Sequence, residues 1–319
     1  MKHLIAKEHH PHLKKRAVLE IVGFLALVGI SIHQRELIST AFTDIRNGDI
    51  LYLVLLLSLY WLMVPLTPIS YRLLAYRKIS IPTTILAQLA GAGPGRIIPG
   101  GLGHISIGAM HLHKCGLNMQ RAVLVPITNN LIGLTVNLII AVIAIAYHPT
   151  LLDTIKDNLS TQTVVILIIL IVAGLTLFQW LSHARKTRKA LRRVNKQWKH
   201  LVAHLKKHPG RLIYLVIIAV TITLGHSLIL KLAGQALSID IAFSDAIIAL
   251  SAGVIIGGAV PTPGGLGAVE AGTTSALIVM GYDPAQATSA ALLFRTATYW
   301  QPLLPGLLSY LYLRERKLL

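Results

Sequence analysis

A few residues of this chain carry chemistry inside otherwise apolar sequence. Glu270 and Arg295 are ionisable side chains in stretches built mostly of Ala, Val, Leu and Gly. A charge at bilayer depth is expensive, so such groups pair with one another or face a wet cavity. If these two pair, a charged substrate could compete for either partner and couple binding to opening; a purely structural pair is the alternative. Arg96 is a third fixed cation, able to fork onto a phosphate or to cap the carbonyls of a broken turn. His104 could titrate near neutral pH or simply pack at a tight turn. His111, His113 and Cys115 have the chemistry of metal ligands. Helical geometry, however, puts His113 on a different face from the other two. No metal and no other cofactor is expected.

Two copies of one short element flank these groups. Pro99-Gly100-Gly101-Leu102-Gly103 recurs as Pro263-Gly264-Gly265-Leu266-Gly267, with Pro261 two residues before the second copy. Prolines and glycines at this density break a helix. Unwound backbone at membrane depth is tolerated only where protein buries it or where it lines a cavity. A half-helix beginning just after each break would point its partly positive N-terminus toward the membrane middle, which suits a phosphate or carboxylate. The candidate substrate-binding residues are therefore Arg96, Pro99, Gly100, Gly101, Gly103 and His104 around the first break. Around the second they are Pro261, Pro263, Gly264, Gly265, Gly267, Glu270 and Arg295.

The elements that must position these groups follow from hydropathy and charge. The chain has 319 residues, 54% of them hydrophobic and 13% charged, with mean hydropathy +0.65. A soluble domain carries about 25% charged residues, so an all-α, polytopic integral membrane protein is expected. Full spans are predicted at about Ala17–Ile32, Ile50–Pro68 (continuing toward Leu74, with kinks at Pro65 and Pro68), Ala122–Tyr147, Thr163–Leu181, Leu212–Leu232 and Ala285–Leu313. Asn129, Asn130 and Asn137 in the third span read as interhelical glue or as part of a polar path, with glue favoured. The segments Ile81–Lys114 and Phe243–Met280 hold the two breaks. Their arms are shorter than the ~20 residues a crossing needs, which predicts two re-entrant helical hairpins.

The net charge of +18 does not imply nucleic acid, because the basic residues sit between apolar spans. In this layout 24 of the 30 Lys/Arg fall on one side, which places both termini in the cytoplasm of a cell-membrane protein. The four on the other side are Arg35, Arg46, Lys156 and Lys231, and Arg96 and Arg295 lie within the membrane. Residues 183–211 carry eleven Lys/Arg and no acid. Leu191, Val194, Trp198, Leu201 and Leu205 recur there on one helical face, predicting a basic amphipathic helix on anionic cytoplasmic lipid. The histidine-rich first 16 residues read as a solvated tail. The one cysteine, Cys115, excludes an internal disulfide.

Span parity makes units of about 50–147 and 211–313 run in opposite senses within one membrane domain. The correspondence extends from Gly103/Gly267 and Gly108/Gly272 to Gly116-Leu117-Asn118 against Gly281-Tyr282-Asp283. Inverted repeats with broken helices are a transporter architecture. No G-x-S-x-G, P-loop or H-E-x-x-H motif is present, and no soluble domain remains for catalysis, so an enzyme is not expected.

At Pro-Thr-Pro-Gly-Gly-Leu-Gly-Ala-Val-Glu (261–270), followed by the Ala-rich span with Arg295, the chain resembles the transmembrane (flippase) domain of the lysylphosphatidylglycerol synthase/flippase family. That family includes the multiple peptide resistance factor and stand-alone membrane proteins. Pro261, Pro263, Gly264, Gly265, Gly267, Glu270 and Arg295 fit its pattern. The first-repeat element of the family commonly has Glu where this chain has His104. The resemblance implies translocation of a polar lipid between leaflets, such as aminoacylated phosphatidylglycerol or a glycolipid. It also implies membrane lipids as partners, and any synthase activity would belong to a separate soluble protein. Two other functions compete: the membrane subunit of such a synthase, and a small-solute or ion transporter. Oligomeric state is not specified by these features.

Overall fold

The computed structural model describes residues 46–97, 101–148, 197–260 and 262–319. The expected first and fourth spans, the histidine-rich tail, residues 183–196, Pro99, Gly100 and Pro261 lie outside the described residues. All described elements are helical: α1 (Ile50–Met63), α2 (Leu66–Ala75), α3 (Ile81–Ala92), α4 (Leu102–Lys114), α5 (Met119–Ala146), α6 (197–207), α7 (Pro209–Ala236), α8 (Phe243–Ala259), α9 (Ala268–Val279), α10 (Pro284–Arg295) and α11 (Leu303–Glu315). Short 3-10 turns at Pro94–Ile97 and Pro263–Gly265 follow α3 and α8, and a π-helical turn, Thr296–Trp300, joins α10 to α11.

Among the described residues three stretches are long and apolar enough to cross a membrane: Ile50–Ala75 (α1 with α2), α5 and α7. Pro65 accounts for the break in the first. It has no N–H to give the preceding turn, so α1 ends at Met63 and α2 begins at Leu66, with Pro65 as its cap. α5 starts on an Asn118 cap, whose side chain accepts from the Arg121 N–H at 2.8 Å, and α10 starts on an Asp283 cap bonded to the Ala285 and Gln286 N–H groups.

Each of these caps follows the same helix ending. Gly116 (φ +89°) and Gly281 (φ +95°) close α4 and α9 in the left-handed region. The Leu117 N–H reaches back to the Leu112 carbonyl, as the Tyr282 N–H does to Leu277. The segments expected as hairpins are therefore pairs of short helices packed side by side, α3 on α4 and α8 on α9. Gly253 and Gly272 face each other within the second pair; a Cβ on Gly272 would lie 2.9 Å from the Gly253 Cα.

One core, with Leu56, Ile229, Leu230, Leu250, Leu277, Leu293 and Phe294, joins α1, α7, α8, α9 and α10. Another gathers Tyr71, Leu74, Leu112, Val125 and Leu215 with Leu201 and Leu205 of α6. This corrects the expectation for the basic segment. In its described part the apolar face of Leu201 and Leu205 packs on protein instead of lying on lipid, because the ends of α2, α4, α5 and α7 present an apolar surface for it.

The two ends of the bundle differ in charge. At one end Arg77 donates to the Gly116 carbonyl, the Tyr76 hydroxyl to the Leu201 carbonyl, and Arg211 contacts His204, beside Lys114, Arg121, Lys206 and Lys207. At the other end Asp49 bonds the last turn of α7, and His148, Asp240, Asp245, Tyr282 and Asp283 come together. The base of the α3–α4 pair lies at the basic end and that of the α8–α9 pair at the acidic end. Their 3-10 turns touch in the interior.

Candidate functional site

The α10–α11 stretch is where the charged residues converge. Pro302 has no N–H, so the Thr298 carbonyl four residues earlier loses its α-helical partner. The backbone answers with a π turn, in which the Gln301 N–H bonds the Thr296 carbonyl at 2.9 Å. Arg96, on the first 3-10 turn, takes up the slack: its Nη1 donates to the Tyr299 carbonyl at 2.5 Å and its Nη2 to the Thr298 carbonyl at 2.9 Å. Arg96 therefore does cap carbonyls of a broken turn, although the turn belongs to the distant α10–α11 stretch.

Arg295 ends α10 just before that turn. Its Nε donates to Glu270 Oε1 at 2.9 Å and its Nη2 to the Gly264 carbonyl at 3.1 Å. The expected pair is thus formed, and it also clamps the second tip. The guanidinium carbons of Arg96 and Arg295 stand 4.4 and 4.5 Å from the centroid of the Tyr299 ring. Gly264 is required where these groups meet. It has φ +59°, and an added Cβ would lie 2.6 Å from Tyr299 Cε2 and 3.2 Å from Arg96 Cβ.

Gly101, Gly265 and Gly267 likewise have positive φ, at the entry to α4 and α9, whereas Gly103 is buried inside α4. Pro263 opens the second 3-10 turn. His104 packs its ring over Gly91, its Nδ1 2.4 Å from where a Cβ there would sit. His111 bonds near Thr84, Cys115 and the Leu318 carbonyl, and His113 bonds the Leu117 carbonyl at 2.8 Å, so the His111/His113/Cys115 trio does not converge.

Beside the tips lie two adjoining cavities. The larger, about 530 Å³, is walled by α5, α7, α8 and α10 and includes Asn129, Asn130, Asn137, Thr223 and Arg295. The smaller, about 210 Å³, includes Gln88 and Arg96. Thr67, His104, Ile222, His226 and Thr298 line both. The first turns of α4 and α9 reach the larger one through His104 and Val269. Its wall also contains Leu134 and Val254, which are 43% and 39% exposed, so among the described residues it opens on the apolar flank of the bundle.

Asn129 accepts from the Ser70 hydroxyl, tying α5 to α2, while Asn129, Asn130 and Asn137 all line the cavity. Sequence reasoning did not place His226 or Thr67 in the site. A lone histidine or threonine in an apolar span carries no such signal; only the meeting of α2 with α7 does.

No curated protein matches the chain. Residues 17–306 match the family described as the lysylphosphatidylglycerol synthase TM region. The match takes in both tips, the Glu270–Arg295 pair and the π turn. The chain is a membrane-embedded member of the lysylphosphatidylglycerol synthase TM family.

Proposed function

We propose that the protein moves a polar lipid between the leaflets of the cell membrane by alternating access. The headgroup would pass the two tips while the acyl chains stay in the bilayer. One observation carries the reading: a cavity that both hairpins reach holds a cluster of polar side chains and Arg295 in an otherwise apolar wall, and exposed apolar side chains lie along it. Its volume falls in the ~300–1,000 Å³ range of small-molecule sites, enough for a headgroup and too little for a two-chain lipid.

The basic end belongs on the cytoplasmic leaflet, where Lys/Arg collect. In that orientation the C-terminus is cytoplasmic, the α3–α4 hairpin enters from inside and the α8–α9 hairpin from outside. Units 50–147 and 211–313 then form an inverted repeat. The exposed Lys199, Lys206 and Lys207 of α6 would meet anionic headgroups. Translocation is the activity proposed, and any lipid synthesis belongs to a separate soluble partner.

The test is reconstitution into vesicles containing a tail-labelled fluorescent phospholipid and an impermeant quencher. The expected result is quenching beyond the outer-leaflet fraction, slowed at least tenfold by Arg295→Ala. A wild-type protein that moves no lipid overturns the reading, whereas loss of a modified lipid from cells lacking the protein favours the synthase-subunit alternative.

A further inference from the structure

Among the described residues the walls of both cavities contain no carboxylate. Glu270, the acid nearest the tips, bonds Arg295 through Oε1, keeps a buried Oε2 without a hydrogen-bond partner, and lines neither cavity. In the undescribed apolar stretches the one acid is Glu20, near the basic end of the expected first span. The fixed charges of the described walls are Arg96 and Arg295, and of the two Arg295 is paired with Glu270. Both Arg295 bonds leave Nη1 out. The rest of the polar wall is amide, hydroxyl and imidazole, able both to donate and to accept, and includes Asn129, Asn130, Asn137, Thr223, His104 and His226. Two buried groups in these walls, Asn137 Oδ1 and Gln88 Nε2, have no hydrogen-bond partner. Such groups recover their lost hydration when a ligand supplies the missing acceptor or donor.

Resting on the translocase reading above, we propose that this cavity selects a headgroup made of a phosphate and neutral hydroxyls, and disfavours one bearing an added ammonium. The phosphate sits toward the two guanidiniums, where forked hydrogen bonds are strongest. The hydroxyls meet the amide and imidazole wall of α5 and α7. An aminoacyl ammonium would enter a cationic, partly desolvated site whose described wall has no carboxylate, Glu270 being held behind Arg295. Like charges juxtaposed there exclude the wrong ligand more effectively than they bind the right one.

The experiment measures binding without translocation, on the purified full chain in detergent. The probes are dihexanoyl phosphatidylglycerol, its lysyl ester, dihexanoyl phosphatidylcholine as a lipid control, and the acyl-free headgroup glycerophosphoglycerol. Phosphatidylglycerol should bind about tenfold tighter than the lysyl ester and the choline lipid, a difference of ~1.4 kcal/mol. Arg295→Gln should remove most of that preference. Asn130→Asp, nearly isosteric, places a carboxylate in the wall and should shift preference several-fold toward the lysyl ester.

A lysyl ester that binds as tightly as phosphatidylglycerol, or tighter, overturns the headgroup class. A preference untouched by both variants overturns the assignment to this cavity. If the acyl-free headgroup binds as well as the lipid, the headgroup class is upheld and the lipid-translocase reading fails in favour of a soluble polyol phosphate. The two failures are therefore distinguishable.

Discussion

Arg295 is held by a carboxylate, a carbonyl and an aromatic face, and each hold has a separate consequence. Removing Glu270 leaves a guanidinium that is 7% exposed without its counter-charge, and breaking such a pair costs on the order of 3–5 kcal/mol. Glu270→Ala should therefore lower the thermal midpoint clearly, and Glu270→Ala with Arg295→Met should recover much of the loss, because the double variant buries no lone charge. A double variant no more stable than Glu270→Ala would show that the pair's partners matter less than the packing around them. Gly264→Ala attacks the same junction from the backbone. A left-handed φ costs an L-residue roughly 1–2 kcal/mol before any clash, and here the new Cβ would also strike Tyr299. Translocation and stability should fall together in that variant, as read by melting and vesicle assays. At this scale the sequence was informative wherever a residue type was costly. Glu270, Arg295 and the tip glycines stand out because apolar surroundings tolerate them badly. Thr67 and His226 do not stand out, and Asn130 drew notice without a settled role, since a polar residue in an apolar span is as often glue as wall.

The π turn between α10 and α11 is an element built by two residues 206 positions apart in sequence, Arg96 and Pro302. Pro302 orphans the Thr298 carbonyl, and Arg96 satisfies it from the other unit. These roles predict non-additivity. Arg96→Gln alone should destabilise by roughly 1.5–3 kcal/mol, the worth of charge-assisted hydrogen bonds. Pro302→Ala restores an N–H for Thr298 and should shrink that cost, a coupling that a double-mutant cycle in thermal stability would read; simple additivity would refute it. The proline was visible in the sequence as a kink and the arginine as a cation, but their meeting depends on how the hairpins dock. The basic helix makes the complementary point: the spacing of Leu201 and Leu205 defines an apolar face without saying whether lipid or protein covers it. At the acidic end, Tyr282 joins elements in a way that pH can probe. Its hydroxyl donates to Asp245 Oδ2 at 2.8 Å, while His148 contacts Asp245 Oδ1 at 3.1 Å, tying the ends of α5, α8 and α9. Burial, helped by the neighbouring Asp245 carboxylate, pushes the Tyr282 phenol up from its ordinary 10 to about 12. The folded state then holds a proton that the unfolded state releases, so this contribution is complete below about pH 10 and fades as pH rises toward 12. Tyr282→Phe should flatten the alkaline decline in melting temperature over that window.

Charge divides the described bundle into a basic and an acidic end, and the α3–α4 and α8–α9 pairs have their bases one at each. Their breaks were legible because Pro and Gly interrupt apolar sequence there, and the helices that follow begin at Leu102 and Ala268, at the two Pro-Gly-Gly-Leu-Gly copies. The cavity was not legible, because it arises where α5, α7, α8 and α10 meet and no local pattern announces that meeting. The proposed entry of the two hairpins from opposite faces leads to a prediction about sidedness. Cys115 can be replaced by Ser to give a cysteine-free chain. Its own thiol is pushed up by burial, so even unreplaced it would label slowly. Single cysteines at Ser106, exposed beside the first tip, and at Val260, 41% exposed beside the second, then report each approach separately. An impermeant maleimide should reach Ser106→Cys from the cytoplasmic side and Val260→Cys from the outside. A translocating lipid that occludes the tips should slow both. Reaction of both positions from one face would place the two hairpins on the same side of the membrane. The charge asymmetry of the ends would then reflect only loop composition, and a site served alternately from each leaflet would lose its structural basis.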